Sequence, residues 1–380
     1  MLRIKVLTEF PSPHMMDFWD AINRLKEIRL KLFFEKVTVS TKSWGVIPDE
    51  IDTEIADWLN ISTFDKINWL RKIFSEKADI WVLCDNYNFW ENHLIAHWAR
   101  NYKIPTIYMA ERTYWKCRQF TGVKSWRNPL YSFVKQITVP LIIRHFDALA
   151  CYGGWACEQY NKLNSGSYIF PTEYYVNLDT LRKINRTKKN PDDVVVIGLC
   201  GALIPRKGFQ YILSNLNLIK SFDNWEIRIA GSGYFGTELK AIIPDNFKPK
   251  VKFLGKISNE KMPEFWSEID ILLFPSLFDG WGMVVLEALS AGVPVISGDN
   301  VGAAREYIKN GCNGEVRKVD KNFIQALLPL LDNPEKLNIL SINARKSVEN
   351  YSPEIGASNF IKHIKIISKR INTKKVIVKK

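Results

Sequence analysis

The chain has 380 residues, of which 46% are hydrophobic and 24% charged, an ordinary balance for a globular protein with room for two domains. Its formal net charge of +13 favours anionic partners such as nucleic acid, acidic lipid or phosphorylated substrates, without choosing among them. Charged residues interrupt every long apolar stretch, which excludes a bilayer-spanning segment and leaves only peripheral membrane contact.

The six cysteines are scattered, and they form neither a CxxC pair nor a cluster with histidine: Cys84, Cys117, Cys151, Cys157, Cys200 and Cys312. This distribution argues against a disulfide framework or a zinc site and favours reduced thiols. The opening MLRIKVLTEF has the pattern of a short strand rather than a signal peptide. We therefore expect a cytoplasmic protein, with peripheral attachment at the cytoplasmic membrane face as a further expectation.

In the first half, short apolar runs predict buried parallel strands that alternate with helices. The strands are predicted at Ile4–Thr8, Ile80–Cys84, Thr106–Met109 and Ala148–Tyr152. The helices are predicted at Met16–Phe34 and Asn88–Asn101. Such alternation is typical of a parallel α/β sheet.

The polar, basic segment Arg182–Asp193 predicts a linker or surface hairpin, after which the alternation restarts. Strands are predicted at Val194–Leu199, Trp225–Ala230, Val251–Leu254, Ile269–Pro275 and Pro294–Ser297. Helices are predicted at Gly208–Lys220, Met262–Glu268, Gly282–Ala291 and across 337–372. We expect a first domain over 1–178, a second over 179–355, and a C-terminal helix with a basic tail over 356–380.

The first segment that suggests chemistry is GLCGALIPRKG at 198–208, where a predicted strand ends in a turn containing Gly201. Arg206 and Lys207 stand just before a helix, and free amides at a helix N-terminus together with two cations suit a diphosphate. A solvated helix end would also explain the basic pair. A second segment, AGSG, places Gly231, Ser232 and Gly233 after a strand, where a ligand could approach the backbone or the chain could simply turn tightly.

The third segment is FPSLFDGWGMVVLEALSAGVP at 274–294, a buried strand followed by a loop and a helix. Asp279 lies in the loop, and Gly280 and Gly282 open space above the helix N-terminus. Glu287 falls in an otherwise apolar helix, where a carboxylate is costly without a partner. The segment offers amides for phosphate and two carboxylates for sugar or ribose hydroxyls, although an internal cap or salt bridge would also explain Glu287.

The second half resembles the retaining glycosyltransferases of family 4, which have the GT-B architecture of two Rossmann-like domains facing across a cleft. That family shows the patterns G-R-x-x-x-x-K-G, G-x-G and E-G-F-G-x-x-x-x-E-A-x-A-x-G-x-P-V, and the three segments match their order and spacing. The likeness continues through GAAREYIKNGCNG at 302–314, whereas the first half fits loosely. It implies an α/β fold of two domains, with the C-terminal helix returning to the first.

The resemblance also assigns roles. Lys207 would bind the donor diphosphate, Glu287 the ribose hydroxyls, and Asp279 hydroxyls of the donor sugar. The other donor contacts would come from the start of the helix and from a segment against the base: Gly282, Met283, Val284, Lys256 and Ile257.

Two departures from the family pattern affect these roles. The arginine that follows the first glycine is Ala202 here, and Arg206 could supply the second cation instead. Asp279 replaces the usual glutamate and is one methylene shorter, which leaves the identity of the donor sugar open.

In this architecture the first half usually binds the acceptor. The loop after the first strand contains His14, which could contact acceptor or phosphate or simply be exposed. Glu111 and Arg112 follow a later strand, where Glu111 could orient the acceptor hydroxyl and Arg112 could bind phosphate or an acidic acceptor. A surface ion pair would explain these two residues equally well.

Residues 100–144 hold nine Lys or Arg, one acid and eight interleaved aromatic residues. Basic and aromatic residues together suit an anionic membrane interface, and single-stranded nucleic acid selects the same combination. A solvated basic face is the third explanation. We favour a membrane-proximal or lipid-linked acceptor site.

The sequence thus predicts a retaining glycosyltransferase that uses a nucleotide-sugar donor and a glycan or lipid-linked acceptor, in cell-surface polysaccharide or glycoconjugate synthesis. No DxD-type carboxylate pair is evident, so we expect neither a metal nor another cofactor. The alternatives are a nucleotide-sugar epimerase on the same fold and a non-enzymatic nucleic-acid binder, for which no RNP-like or helix-turn-helix signal is present.

Overall fold

A computed structural model describes residues 1–35, 47–56, 58, 61–84, 90–112, 137–163 and 166–377. These residues divide into two compact units. The first contains the described residues up to Asn177 together with 351–377, and the second contains 178–350. The second unit thus ends at Asn350, where the sequence analysis had placed the boundary at 355.

The first unit contains a parallel sheet of seven strands. They are β1 (Leu2–Thr8), β2 (Ile28–Phe34), β3 (Asp52–Ile55), β4 (Ile80–Leu83), β5 (Thr106–Ala110), β6 (Ala148–Tyr152) and β7 (Tyr168–Thr172). Between the strands, the described residues form the helices α1 (Pro13–Asn23), α2 (Thr63–Ser75), α3 (Trp90–Asn101) and α4 (Gly154–Lys162), and residues 137–143 are also helical. The strand order is β3-β2-β1-β4-β5-β6-β7.

The second unit contains a parallel sheet of six strands. They are β8 (Val195–Cys200), β9 (Trp225–Ala230), β10 (Val251–Gly255), β11 (Ile271–Phe274), β12 (Val295–Gly298) and β13 (Gly314–Arg317). The helices are α5 (Asp179–Arg182), α6 (Gln210–Leu213), α7 (Gly236–Ala241), α8 (Met262–Glu268), α9 (Met283–Ser290), α10 (Gly302–Tyr307), α11 (Leu328–Leu331) and α12 (Pro334–Ser347). The strand order is β10-β9-β8-β11-β12-β13.

Both sheets reverse their winding beside their first strand. The chain moves outwards from β1 to β3 and then returns to place β4 on the other side of β1, and β8 and β11 are related in the same way. Loops that leave two such strands diverge at their carboxyl ends, which opens a crevice where ligands bind in doubly wound sheets. The predicted α/β fold with two parallel sheets is confirmed, and each unit has one such crevice of its own.

Each unit also has its own apolar core. In the second unit the central strands β8 and β11 are apolar and completely buried. Helical and 3-10 residues such as Phe209, Ile212 and Leu216 pack on them from one face. In the first unit Trp81, Tyr108 and related side chains form the equivalent cluster. Strands buried on both faces explain why the sequence shows runs of apolar residues rather than alternation.

The prediction of one helix over Met16–Phe34 is wrong. Helix α1 ends at Asn23, and Ile28–Phe34 forms β2, paired in parallel with β1. In the sequence IRLKLFF, Ile28, Leu30 and Leu32 are buried while Arg29 is exposed, which is the two-residue period of a strand. The helical spacing of the preceding apolar residues masked this change of period.

The long helices predicted over 208–220 and 337–372 are each interrupted. The first consists of α6 and a separate 3-10 turn at Leu216–Ile219, because Asn215 leaves helical geometry between them. The second divides at 348–352 into α12 and α13 (Pro353–Ile377), and Pro353 begins the new helix. Proline is well suited to a first helical turn but not to a helix interior.

Helix α13 belongs to the first unit, where it packs against α1. The ring of Phe360 contacts Phe18 edge-on, with 5.4 Å between the centroids, and Ile361 and Ile364 are buried. Gly356 packs directly against the ring of Tyr175: a Cβ added at Gly356 would lie 2.3 Å from Tyr175 Cδ2. The chain therefore returns to its first unit after completing the second, as the family resemblance implied.

Candidate functional site

The three motif segments of the second unit meet at the crevice between β8 and β11. The turn with Gly201 leaves β8, and the loop with Asp279 leaves β11. The two loops are joined by a backbone hydrogen bond of 2.9 Å from the amide of Leu277 to the carbonyl of Arg206. Their adjacency follows from the strand order, since β8 and β11 are neighbours although their last residues, Cys200 and Phe274, are 74 positions apart in sequence.

Two glycines make this close approach of loops possible. Gly208 has φ of +74°, and a Cβ there would lie 1.9 Å from the carbonyl oxygen of Pro275. Gly231 has φ of +146°, and a Cβ there would lie 1.9 Å from the carbonyl oxygen of Gly201. Both positions therefore require glycine for conformation and for space.

Two cations and one carboxylate converge at this junction. Lys207 Nζ forms a short ion pair with Asp279 Oδ2, and Arg206 Nη1 lies 3.6 Å from the same oxygen. Arg206 also donates to the carbonyl oxygen of Phe278, so its guanidinium is held against the loop that carries Asp279. The Lys207 ammonium lies 4.8 Å from the centroid of the Phe274 ring. Arg206 thus lies beside Lys207, where it could supply the second cation in place of the family's arginine.

Glu287 lies in the second turn of α9 with its carboxyl group below the surface. Burial raises its pKa from the ordinary 4.5 to about 7, and the neighbouring Trp266 indole partly opposes this shift. The residue as a whole is half-buried. Burial raises the pKa of the Cys200 thiol, Glu287 raises it further and Lys207 lowers it, so all three groups share one electrostatic environment.

Helix α9 begins directly after Gly282, whose φ of +91° turns the chain into the helix. No side chain caps this N-terminus, so Met283 and Val284 contribute the first amides of the helix. Gly280 lies close to the start of helix α10: a Cβ added at Gly302 would lie 2.4 Å from the carbonyl oxygen of Gly280. The arrangement provides backbone donors beside the cation pair.

The remaining predicted donor residues lie on neighbouring loops. Ser232 and Gly233 follow β9, and the carbonyl of Ser232 accepts a hydrogen bond of 3.0 Å from Leu203 in the turn after β8. Lys256 is exposed and Ile257 half-buried just beyond β10. Gly255, at the end of β10, accepts from the amide of Gly231 at 2.7 Å, which connects these loops.

The first unit has a cavity of about 450 Å³ at the carboxyl ends of its strands. It is lined by aromatic and sulfur-containing side chains together with a few polar groups: Thr8, Glu9, Phe10, Ser12, Met15, Met16, Trp19, Phe34, Cys84, Tyr108, Met109, Glu111, Arg112, Tyr152, Tyr160 and Tyr174. The predicted acceptor residues Glu111 and Arg112 therefore face one cavity. His14 is outside this lining, but its ring lies 6.4 Å from that of Tyr174.

Aromatic side chains hold the polar groups of this cavity. The hydroxyl of Tyr174 donates to Glu111 Oε1 at 2.6 Å, and Tyr174 stacks on Tyr152 with 4.0 Å between centroids. The guanidinium carbon of Arg112 lies 3.2 Å from the centroid of Trp155. Glu111 and Arg112 thus each contact an aromatic side chain from another segment of the chain.

Sequence reasoning did not identify Trp266, Tyr152, Tyr174 or Trp155. Trp266 lies in a short helix, MPEFWSE, whose pattern indicates burial but not the carboxylate beside it. No local spacing in the sequence connects Tyr174 to Glu111. Of the basic and aromatic region 100–144, residues 113–136 lie outside the described residues.

Within the described residues, the structure adds three further facts. Cys151, Cys200 and Cys312 are free thiols. No group of three or more His, Cys, Asp or Glu side chains there is arranged to hold a metal ion. No helix in that part of the chain has the length and apolarity required to cross a membrane.

The part of the chain that carries this site is similar to known proteins. Residues 181–347 match the family model described as glycosyl transferases group 1. An uncharacterized glycosyltransferase of Methanocaldococcus jannaschii is 33% identical over 149 residues, which covers 38% of each chain. A GDP-mannose-dependent monoacylated alpha-(1-6)-phosphatidylinositol monomannoside mannosyltransferase of Corynebacterium glutamicum is 30% identical over 179 residues, 45% of each chain. The chain thus matches less than half the length of these relatives.

Among solved structures, the Anabaena protein HepE in complex with UDP superposes with a TM-score of 0.70 at 14% sequence identity. The superposition covers 96% of this chain and all of HepE, so the likeness in fold extends over both units. The fold is therefore the GT-B fold, and residues 181–347 are similar to the group 1 glycosyl transferases.

Proposed function

We propose that the protein transfers a sugar from a nucleotide-sugar donor to a glycan or lipid-linked acceptor, with retention at the anomeric carbon and without a metal. The observation that carries the proposal is the meeting of Lys207, Arg206 and Asp279 beside Glu287 and the amide end of α9. These groups complement a nucleoside diphosphate attached to a sugar: cations and amides for the phosphates, and carboxylates for hydroxyls.

The main chemical task of this site is to stabilise the leaving diphosphate. Charge develops on the phosphate as the glycosidic bond to the donor breaks, and the ammonium of Lys207 and guanidinium of Arg206 are positioned to oppose it. Lys207 pairs with Asp279, so diphosphate binding would exchange one anion for another at the same cation. On a retaining path the phosphate oxygen can accept the acceptor proton on the same face, and no separate general base is required.

The donor nucleotide is proposed to be UDP or GDP. Two similar proteins support this range, since HepE was solved with UDP and the Corynebacterium relative is named as GDP-mannose-dependent. The latter also names a phosphatidylinositol mannoside acceptor, which is consistent with a lipid-linked acceptor here. The aromatic cavity containing Glu111 and Arg112 is the proposed acceptor site, and synthesis of a surface polysaccharide or glycoconjugate is the proposed context.

We further propose peripheral binding to an anionic membrane on the cytoplasmic side. The described ends of the basic and aromatic region support it. Ile137 and Leu141 are exposed one helical turn apart, and Arg100 donates to the carbonyls of Arg144 and His145 next to them. Apolar side chains beside cations suit a membrane interface.

A ligand screen tests the donor site directly. Thermal stabilisation should appear with UDP- or GDP-sugars, because a ligand that binds the folded state raises its stability. Lys207→Ala and Glu287→Ala should each abolish both donor binding and transfer, whereas Lys220→Ala, an exposed lysine of the same unit, should not. Unchanged activity in the first two variants would refute the site.

The same preparation separates the alternatives. An epimerase would convert donor to its epimer without any acceptor, so incubation with donor alone and analysis of the sugar decides that case. A nucleic-acid binder would retain RNA or DNA with a steep dependence on salt. Neither result is expected of a transferase that releases nucleoside diphosphate when acceptor is supplied.

A further inference from the structure

Helix α13 has two faces of different chemistry. The face that packs against α1 is apolar and buried: Phe360, Ile361, Ile364 and Ile367. The opposite face exposes five side chains: Lys362, Lys365, Ile366, Lys369 and Arg370. Residues three or four positions apart lie on one side of a helix, so these five form a continuous surface, the basic face of α13.

The charge of this part of the chain has a single sign. Residues 362–380 contain eight Lys or Arg and neither Asp nor Glu. Lys365 pairs with Glu27 at 2.7 Å, but both side chains are more than half exposed, and such pairs contribute little to stability. Lys26, beside Glu27, is exposed as well and adds a further cation. A surface with this excess of positive charge attracts an anionic partner.

The position of the basic face separates it from the acceptor cavity. Gly356, in the first turn of α13, packs against Tyr175, which lies beyond the carboxyl end of β7. Arg370 lies over the ring of Tyr168, the first residue of β7, with its guanidinium carbon 4.4 Å from the ring centroid. The helix therefore runs antiparallel to β7, and the basic face lies towards the amino ends of the strands. The cavity lies at their carboxyl ends, so these cations do not line the acceptor site.

We propose that the basic face of α13 docks on the anionic surface of a lipid bilayer. Cations on an amphipathic helix attract anionic headgroups, and Ile366, 40% exposed among them, inserts at the boundary between headgroups and acyl chains. Single-stranded nucleic acid fits less well, because it stacks on aromatic rings and residues 362–380 contain no Phe, Tyr or Trp. A second copy of the same face would repel the first.

This inference goes beyond the donor and acceptor sites. It shares with the proposed function only the anionic membrane, and it places a contact with that membrane on a surface separate from Ile137 and Leu141.

Co-sedimentation of the full chain with vesicles tests the proposal. Wild type should bind phosphatidylcholine vesicles that contain about 30% phosphatidylglycerol, and should be released as salt rises from about 0.1 to about 0.5 M. Vesicles of phosphatidylcholine alone should bind little. Each cation near an anionic surface strengthens binding about fivefold, so a variant without the four cations of the face should have a partition coefficient at least about tenfold lower. That variant combines Lys362→Gln, Lys365→Gln, Lys369→Gln and Arg370→Gln.

The matched control removes the same charge from exposed lysines of the second unit: Lys220→Gln, Lys261→Gln, Lys321→Gln and Lys346→Gln. It should retain the wild-type partition coefficient. Equal binding by the two fourfold variants would overturn the proposal, because net charge or another surface would then account for vesicle binding.

A single substitution tests the same face with less change of charge. Ile366→Asp places a carboxylate among the four cations and should weaken vesicle binding about fivefold or more. Ile339→Asp, which changes an exposed isoleucine of α12, should not. Tighter binding of wild type to a duplex oligonucleotide than to anionic vesicles would refute the choice of partner.

Failure of this inference is distinguishable from failure of the proposed function. The fourfold α13 variant should unfold at the wild-type temperature and be stabilised by UDP-glucose as wild type is, because the face belongs to the first unit and the donor crevice to the second. If wild type binds no nucleotide sugar, the proposed donor site fails while the vesicle comparison stands. If Ile137→Ser with Leu141→Ser loses vesicle binding and the α13 variant keeps it, only the inference fails.

Discussion

Glu287 binds its proton more tightly in the folded protein than in the unfolded chain, because burial raises its pKa from 4.5 to about 7. The stability associated with this proton is complete below pH 4.5 and is lost as pH rises through about 7. Replacement by glutamine removes the titration with little change of shape. A shift of this size corresponds to at most about 3 kcal/mol.

We therefore expect the free energy of unfolding of Glu287→Gln, measured relative to that of wild type, to increase by up to about 3 kcal/mol between pH 5 and pH 8. Urea unfolding at the two pH values measures the difference. Glu264→Gln, which changes an exposed glutamate on α8, is the control and should show no such trend. Parallel pH profiles for wild type and Glu287→Gln would contradict the buried location of the carboxyl group.

The ion pair of Lys207 and Asp279 gives a prediction that separates binding from turnover. In Asp279→Asn the Lys207 ammonium no longer has to give up a carboxylate partner before it binds phosphate. Because a part-buried ion pair contributes about 1 kcal/mol, UDP should bind about fivefold more tightly to this variant. Sugar transfer should fall, because UDP-sugar loses a hydroxyl acceptor. Calorimetry with UDP and a transfer assay measure the two effects.

Asp245→Asn is the matched control, since it removes a carboxylate paired with Lys248 on the surface of the same unit. It should leave UDP affinity and transfer unchanged. Weaker UDP binding in Asp279→Asn would show that Asp279 positions Lys207 for phosphate instead of competing with it.

At this scale the sequence predicted which side chains meet but not how they are held. The spacing of the motif segments indicated Lys207, Asp279 and Glu287, and the R-K-G triplet indicated Arg206. Trp266 and Tyr174 could not be predicted, because each acts on a carboxylate from a distant segment and through packing that has no local pattern. The sequence shows that the side chain of Asp279 is one methylene shorter than the family's glutamate, whereas its ion pair with Lys207 follows from the backbone geometry of two loops.

Among the elements, the turn at Gly208 fixes how closely the loops after β8 and β11 approach. Gly208 and Gly311 have nearly the same φ, +74° and +76°, but only Gly208 faces a neighbouring backbone atom. Alanine at either position adopts a strained left-handed conformation that costs about 1 kcal/mol. At Gly208 the overlap with the carbonyl of Pro275 adds to that cost.

We therefore expect Gly208→Ala to destabilise the protein by about 2 kcal/mol more than Gly311→Ala, and to weaken nucleotide-sugar binding as well. Gly311→Ala should leave binding unchanged. Urea unfolding and calorimetry on the two variants provide the comparison. Equal losses of stability would mean that the loops can separate at Gly208 without cost.

Element types were predictable where one period dominates. Trp225–Ala230, Ala148–Tyr152 and Met262–Glu268 have the predicted bounds. The error at 16–34 arose because two periods adjoin without a glycine or proline between them, so helical spacing was extended into β2. Strand β3 (DTEI) was missed because, at the sheet edge, it is only partly buried and carries two acids.

For the whole molecule, the two units differ in how the chain builds them. The second is continuous over 178–350 and has its own sheet and core, whereas the first requires helix α13 from beyond the second. We expect a fragment of residues 178–350 to unfold cooperatively and to be stabilised by UDP-sugars. A fragment ending at 177 should lack a cooperative transition, because the faces of Phe18 and Trp19 that contact Phe360 become exposed.

Thermal unfolding by circular dichroism, with and without nucleotide sugar, tests both fragments. A cooperative transition in the fragment 1–177 would show that α13 is dispensable for the first unit. The division into two α/β halves was predictable from the renewed strand and helix alternation after residue 190. The assignment of α13 to the first unit came only from family resemblance, because the apolar face of a helix does not indicate against which element it packs.

The place of α13 has a consequence for the order in which the protein forms during synthesis. The ribosome completes 178–350 before it adds Pro353–Ile377, so the C-terminal unit can reach its native state while the N-terminal unit still lacks its last helix. Until that helix emerges, Phe18 and Trp19 have no Phe360 to cover them. In nascent chains the N-terminal unit should therefore depend on chaperones for longer than the C-terminal unit, the reverse of the usual order in which the N-terminal domain folds first.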